Sequence, residues 1–215
     1  MYSKKLKPAL SSSERALFKK LSTPQKIQDY LDKLPINFEV RGETCMSPRV
    51  LIRKKTAHCV EGAFFAAAAL AYHGHPPLLM DFQTFPDDED HVIALFKQNG
   101  YWGAISKTNH AIVRYRDPVY KTPRELAMSY FHEYLMWDGR KSLLAYSKPF
   151  DLRKFAPEQW VTSEKSLLWL ADALDDSRHF PIVPKKNQRL LRKASTVELR
   201  AMRVVEWKPP KKFKH

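Results

Sequence analysis

Two residues of this sequence have the side chains and the spacing that nucleophilic catalysis requires. Cys59 begins an apolar, alanine-rich stretch, and His91 follows thirty-two residues later at the start of an alternating stretch. A thiol in the first turn of a helix is biased towards the thiolate, and an imidazole is the usual partner that takes its proton. The N–H groups of the same turn can hold an oxyanion. Taken alone, Cys59 is more simply explained as an inert buried thiol, so the argument depends on the pair.

A buried helix is predicted to carry Cys59. Apolar side chains fill almost every position from 63 to 70, so this stretch has no face suited to water. Thr56 is a suitable N-cap, and Gly74 followed by two prolines would end the helix. We therefore expect a helix over Thr56–His73 with Cys59 in its first turn.

His91 is predicted to begin a hairpin. The short apolar run Leu78–Phe82 indicates a buried strand, and an acidic loop follows it. Next, His91–Gln98 and Tyr101–Lys107 flank Asn99-Gly100, which is the strongest short hairpin signal in a sequence. The chain order is therefore Cys-bearing helix, strand, loop, His-bearing strand and hairpin.

The register of this hairpin selects a third side chain. Counting back from the Asn-Gly turn, His91 faces Thr108, and side-chain alternation places Ser106 on the same face, diagonal to His91. We expect Ser106 to accept a hydrogen bond from the Nδ1–H of His91 and so orient the ring. Asn109 is the alternative third member, because an asparagine performs this task in papain-type sites. An ordinary strand hydroxyl explains Ser106 equally well.

Further helices and strands are predicted around this core. Apolar spacing, capping residues and turn signals indicate four more helices and two more strands. The helices are Ser13–Leu21, Pro24–Leu34, Thr122–Trp137 and Ser163–Leu174, and the strands are Ala111–Arg116 and Leu143–Leu152.

Charge and composition divide the chain into three parts. Residues 1–22 form a basic N-terminal segment, 23–184 the main domain, and 185–215 a basic tail. The tail holds eleven Lys or Arg and two Glu, and so carries +9 of the net charge of +14. No apolar run is long enough to span a membrane, and the N-terminus has no signal-type segment, so we expect a cytoplasmic protein, the alternative being a mature form whose signal was removed. Of the two cysteines, Cys45 has no nearby histidine in the sequence and is predicted to be structural.

Two stretches of the chain resemble the core of the transglutaminase-like superfamily. They are Ser47–Gly62 (SPRVLIRKKTAHCVEG) and His91–Thr108 (HVIALFKQNGYWGAISKT). The resemblance implies a papain-like α+β fold, with a buried Cys-bearing helix packed on an antiparallel sheet and extra helices around it. It also implies that Cys59 is the nucleophile and His91 the base, and that Ser106 stands at the register of the family's Asp.

The resemblance implies acyl-enzyme chemistry on an amide or ester, as in a protease, deamidase or transglutaminase. The substrate would be a peptide, a protein or a small amide, and we expect no cofactor and no metal. One alternative comes from Ser106, which replaces the acid. The chain would then be a catalytically degenerate transglutaminase-like binding module whose basic tail contacts an anionic partner.

Overall fold

The computed structural model describes residues 2–40 and 42–210, and it has the predicted α+β organisation. One seven-stranded sheet has the order β4-β3-β2-β1-β5-β7, with β6 also paired to β1, and the pairings between its strands are antiparallel. The strands are β1 Leu78–Gln83, β2 His91–Gln98, β3 Tyr101–Ile105, β4 Arg116–Tyr120, β5 Ala145–Ser147, β6 Phe150–Asp151 and β7 His179–Pro181.

Helices surround the sheet and account for most of the remaining regular structure. They are α1 Tyr2–Ala9, α2 Ser12–Lys20, α3 Pro24–Asp32, α4 Pro48–Lys54, α5 Cys59–Tyr72, α6 Pro123–Met128, α7 Pro157–Trp160, α8 Leu168–Asp175, α9 Lys185–Gln188 and α10 Thr196–Met202, with a 3₁₀ turn at Leu152–Lys154. In the described residues, no helix is long and apolar enough to cross a membrane.

The Cys-bearing helix α5 lies at the centre of the larger core. Its residues from Val60 to Ala71 are all buried, as the apolar sequence predicts, and the helix packs on β2. Small alanine side chains let it approach the sheet closely. The basic segment 1–22 contributes Leu6 and Phe18 to the same core. A buried helix of this kind is a fixed platform for the residue at its first turn.

The opposite face of the sheet is covered by the chain that follows β4. Phe82, Ile93 and Leu95 from the sheet pack there against Tyr130 and Tyr134. The ring of Phe82 lies 5.1 Å from that of Tyr130 and 5.9 Å from that of Tyr134, between centroids. The sheet is therefore covered on both faces, by α5 on one and by the chain after β4 on the other.

The central helix begins later than the sequence predicts. α5 starts at Cys59, not near Thr56, and His58 is its N-cap. The hydroxyl of Thr56 donates to the Pro35 carbonyl, and Ala57 pairs with Ile36 in a parallel bridge. This extended pairing prevents residues 56 and 57 from joining the helix, and it makes Cys59 the first helical residue.

The segment between β3 and α6 also differs from prediction. The predicted strand Ala111–Arg116 is wrong: Ala111 donates its N–H to the Val204 carbonyl, residues 112–115 form no strand, and regular pairing with β3 begins at Arg116. Pro118 lies inside β4, which is tolerable because β4 is the edge strand.

Three other predicted elements are shortened or divided. The helix predicted over Thr122–Trp137 stops at Met128, where backbone bonds tighten from i→i−4 to i→i−3 over residues 129–133. The strand predicted over Leu143–Leu152 divides into β5 and β6, because Pro149 between them has no N–H to donate. The helix predicted from Ser163 begins at Leu168, since the backbone N–H of Leu167 bonds instead to the Cys45 carbonyl.

Candidate active site

Cys59 is the first residue of α5 and is partly exposed. Two imidazoles, those of His58 and His91, adjoin its side chain and act on it by hydrogen bonding and by charge. Burial opposes ionisation of the thiol, but these two hydrogen bonds and the positive charge of the two rings outweigh it. The result lowers the pKa of Cys59 to about 5, so the residue is a thiolate at neutral pH.

The ring of His91 is fixed by Ser106. Its Nε2 lies 2.8 Å from the Ser106 Oγ, and that hydroxyl lies 2.6 Å from the carbonyl oxygen of Val113. A carbonyl only accepts, so Ser106 donates its proton to Val113 and accepts from His91. His91 therefore carries a proton on Nε2, and its Nδ1 is left to exchange a proton with the Cys59 sulfur. This is the tautomer that a general base requires.

The Val113 carbonyl that binds Ser106 is itself held in place. Val113 has φ of 59°, a backbone conformation that a β-branched residue rarely adopts. Its N–H donates to the Glu133 carboxylate at 2.6 Å, and Glu133 accepts from Arg116 at the same distance. An ion pair thus stabilises the unusual backbone, and through Val113 and Ser106 it orients His91.

The contact between His91 and Ser106 follows from the predicted register, although the ring atom differs. Gln98 pairs with Tyr101, as predicted, and the ladder continues to Ala94 and Ile105. Beyond that point Ser106 reaches the imidazole through Nε2. The prediction that it would bind Nδ1 is therefore wrong.

Serine is the residue that this environment requires at position 106. The side chain is buried and its oxygen must donate to one group while it accepts from another. An aspartate cannot donate, and its charge would face the Val113 carbonyl oxygen at close range. The serine hydroxyl therefore meets both hydrogen-bonding demands at this position.

Asn109, the alternative third member, binds a different partner. Its amide donates to the Trp207 carbonyl at 3.0 Å and accepts from the Trp207 N–H at 2.9 Å. The Asn109 carbonyl also accepts from the N–H of Glu206. Residues 204–207 thus pin the loop that runs from Ser106 to Val113, and Asn109 serves that loop.

His58 is the functional residue that our sequence analysis missed. Its Nε2 lies 3.0 Å from the Thr44 carbonyl oxygen, 3.4 Å from a Glu61 oxygen and 3.6 Å from a Glu39 oxygen. Because Nε2 faces these acceptors, Nδ1 is the ring atom left for Cys59. Burial disfavours the imidazolium, but the hydrogen bonds to Cys59 and Glu61 raise the pKa of His58 to about 11.

Glu61 is the buried carboxylate behind His58. It accepts from the backbone N–H groups of Met46 at 2.9 Å and His58 at 3.0 Å, and from the side chains of Asn37 and Thr44. Burial alone would raise its pKa, but these bonds and the charge of His58 lower it. The signal was present in the sequence, since a glutamate three residues after the N-cap is placed to accept from the N-cap N–H, as Glu61 does from His58.

Known protein families give no guidance here, because no family model and no curated protein matches this chain. The described residues also contain no group of three or more His, Cys, Asp or Glu side chains that could hold a metal ion. The chemistry of the site must therefore be inferred from its own geometry.

Proposed function

We propose that this protein is a cysteine-dependent hydrolase or acyltransferase that acts on an amide or ester through an acyl-enzyme. One observation carries the proposal. The His91 imidazole acts on the Cys59 thiol by hydrogen bonding and by charge, and its Nε2 is committed to Ser106 as a donor. A thiolate and a correctly protonated imidazole in contact are the two parts that thiol catalysis needs.

The two imidazoles would divide the work. His58, enclosed by Glu61, Glu39 and the Thr44 carbonyl, is the stationary counter-ion of the thiolate. His91 is the group that moves protons, because Ser106 binds its Nε2 and leaves Nδ1 to exchange a proton.

The proposed reaction has an acylation step and a deacylation step. Because Cys59 is a thiolate at neutral pH, the proton starts on His91 Nδ1; the sulfur bonds to the carbonyl carbon, and the C–N or C–O bond breaks as Nδ1 gives this proton to the leaving group. Water or an amine then attacks the thioester and gives its proton to Nδ1, and the C–S bond breaks to release Cys59 as the thiolate.

The fold gives further support. The Cys-bearing helix α5, strand β1, His-bearing strand β2 and hairpin partner β3 follow in the order of a papain-like, transglutaminase-like core. The substrate class would then be a peptide, a protein or a small amide. A cytoplasmic location, which the sequence predicts, would keep both thiols reduced.

Acylation by p-nitrophenyl acetate tests the proposal. We expect a burst of one p-nitrophenolate per chain, followed by slower turnover, with the acetyl group mapped to Cys59 by mass spectrometry. The Cys45→Ala variant is the matched control and should behave like the native chain. If Cys59→Ala releases p-nitrophenolate as fast as the native chain, the thiol is not the nucleophile and the proposal fails.

A second candidate function, binding of an anionic partner, is favoured by a basic cleft. A cavity of about 460 Å³ is lined by Lys148, Arg153, Lys154 and Arg178, with a single carboxylate, Asp151, that is bonded to Arg153. Cations around a concave surface attract polyanions.

The cleft is testable by heparin-affinity chromatography. Lys148→Glu combined with Arg178→Glu should elute at clearly lower salt than the native chain, and Lys19→Glu combined with Lys20→Glu should give a smaller shift. Equal shifts would mean that only net charge matters. Charge reversal is preferable to removal of residues 185–215, since residues 204–207 hold the loop between Ser106 and Val113. Residues 211–215 of this tail lie outside the described residues.

A further inference from the structure

A small cavity lies between the main domain and the start of the basic tail. Its volume is about 220 Å³, and it shares no lining residue with the basic cleft around Lys148. Its walls come from four places in the chain, which are the loop after β1, the segment before β5, the segment after β7 and the turn after α9. The cavity therefore exists only where these segments meet in the fold.

One part of the cavity lining is apolar. Leu143 is only 1% exposed and belongs to the core on the sheet face opposite α5, and Val183 and Leu191 pack against that core. Five apolar side chains line the cavity in all: Phe85, Leu143, Leu144, Val183 and Leu191. A ligand that covers these side chains gains free energy in proportion to the apolar area it removes from water.

Backbone hydrogen bonds hold both sides of the cavity. On the sheet side, Leu144 donates its N–H to the Gln83 carbonyl at 2.9 Å and accepts from the N–H of Ile182 at 2.9 Å. On the tail side, the N–H of Ala194 donates to the Gly139 carbonyl at 2.8 Å. The cavity is thus formed without a ligand, so binding would not have to order these segments.

The other part of the lining is cationic, and no carboxylate belongs to it. Its cations are Arg140, Lys141, Arg192 and Lys193. Nearby carboxylates pair with three of them: Asp138 lies 2.7 Å from Arg140 and 3.8 Å from Lys193, and Glu198 lies 3.7 Å from Arg192. Four positive charges therefore face two negative ones, which leaves Lys141 in excess.

Lys141 is a nearly buried lysine whose amine is left without a bonded partner. The residue is only 9% exposed, and among the described residues its amine makes no hydrogen bond and has no carboxylate oxygen within 4 Å. Glu198 feels its charge from farther away, but that carboxylate accepts from the Ser195 N–H at 2.6 Å. By contrast, the buried Lys107 donates to the Leu34 carbonyl. Lysines are almost never buried unless they are paired, so Lys141 indicates an anion that arrives from outside.

The volume of the cavity limits the size of that anion. A benzene molecule fits an apolar cavity of about 150 Å³, and the pockets that hold drug-sized ligands begin at about 300 Å³. At about 220 Å³, this cavity has room for one ring or a short chain together with a carboxylate.

We propose that this cavity binds a small carboxylic acid with an apolar body, such as an arylacetate or a short-chain fatty acid. The carboxylate accepts a hydrogen bond from the Lys141 ammonium, and the ring or chain lies against Leu143 and Leu191. The inference uses no residue of the Cys59 site, so it goes beyond the proposed function and does not depend on it.

An NMR titration of the nitrogen-15-labelled full chain tests the cavity. Phenylacetate and hexanoate are the probes, benzyl alcohol is the control without a charge, and acetate is the control without an apolar body. At least one of the two acids should give saturable shifts at the amides that line the cavity, and both controls should bind about tenfold or more weakly than that acid.

Three variants assign the binding to the cavity. Lys141→Met removes the ammonium but keeps an apolar stem, and it should weaken binding of the acid by about tenfold or more. Leu191→Trp should fill the cavity and abolish binding. Lys148→Met removes one cation from the basic cleft instead, so this matched control should bind like the native chain. Circular dichroism checks that each variant is folded.

Four results would overturn the inference. They are the absence of saturable shifts with either acid up to about 10 mM, equal binding of benzyl alcohol and the acids, native affinity in folded Lys141→Met, and shifts confined to amides beside Cys59. In the last case the acids would occupy the catalytic site as products. None of these results bears on the acetylation of Cys59 by p-nitrophenyl acetate, so the two proposals can fail separately.

Discussion

The two cysteines of this chain have the same side chain and opposite surroundings. Cys45 is 2% exposed, and burial, followed by the charge of Glu61, raises the pKa of its thiol. Cys59 is partly exposed, and two imidazoles lower its pKa to about 5. Glu61 acts on both: its bare charge opposes ionisation of Cys45, whereas at Cys59 it acts through His58.

This contrast shows that reactivity is set by what stands between a carboxylate and a thiol. An imidazolium placed between Glu61 and Cys59 reverses the sign of the effect, since the thiolate then interacts with the nearer positive charge. Because both thiols lie in one chain, each experiment on Cys59 has an internal control.

The largest effect should appear in competitive alkylation. With iodoacetamide at pH 7, Cys59 should be modified about 10³-fold or more faster than Cys45, because a buried, protonated thiol reacts only when the fold opens. Peptide mapping after timed quenching measures both rates. Comparable rates under native conditions would remove the basis of the contrast.

The pH profile of the same reaction gives the sign of the pKa shift. The pKa of Cys59 lies below the ordinary thiol value of about 8.5, so the thiolate persists as pH falls until about pH 5. Labelling of Cys59 should therefore be level between about pH 6 and 8 and decline near pH 5. A midpoint near the ordinary thiol value would contradict the two-imidazole arrangement.

Replacing His91 should slow ester hydrolysis without removing the Cys59 thiolate. In His91→Gln the thiolate retains His58, so alkylation should continue, but steady-state hydrolysis of p-nitrophenyl acetate should fall by about 10²-fold or more for lack of a general base. Mass spectrometry should then show that acetyl-Cys59 accumulates. Loss of both reactions together would instead make His91 the main stabiliser of the thiolate.

Neutralising Glu61 should make Cys59 behave more like Cys45. In Glu61→Gln, His58 loses its buried counter-ion and its pKa falls, so the alkylation midpoint of Cys59 should rise from about 5 towards the ordinary thiol value. At pH 6 the labelling rate should drop by about tenfold. Glu164→Gln, which removes an exposed carboxylate paired with Arg53, is the control and should leave the midpoint unchanged.

The smallest effect is expected at Ser106. Ser106→Ala removes the group that orients His91 but not the imidazole, so turnover should fall by roughly tenfold while alkylation is nearly unchanged. Ser106→Asp should not improve turnover, and it should lower the free energy of unfolding by about 1–3 kcal/mol because a charge would face the Val113 carbonyl. A gain in turnover with aspartate would show that the acid had simply been lost.

Local patterns in the sequence were sufficient for part of this site. The apolar run predicted a buried α5, and the Asn99-Gly100 turn fixed a register that carries Ser106 to His91. Both signals are short-range, and each depends on a few neighbouring residues.

The rest depended on contacts between distant parts of the chain. The parallel bridge between Ile36 and Ala57 shifts the start of α5, and Glu133 sets the backbone of Val113 from twenty residues away. The helix predicted to run to Trp137 stops at Met128, and the chain beyond it brings Glu133 to Val113. No periodicity within one segment contains this information.

The bonds between Asn109 and Trp207 affect when the site can form during protein synthesis. These residues are 98 positions apart, and the loop that Asn109 anchors connects Ser106 with Val113. At about 5–20 residues per second, a ribosome needs roughly 5–20 s to travel from one to the other. A nascent chain therefore carries Cys59 well before the loop behind His91 is held, so the two residues would reach their final arrangement only after Trp207 has been made.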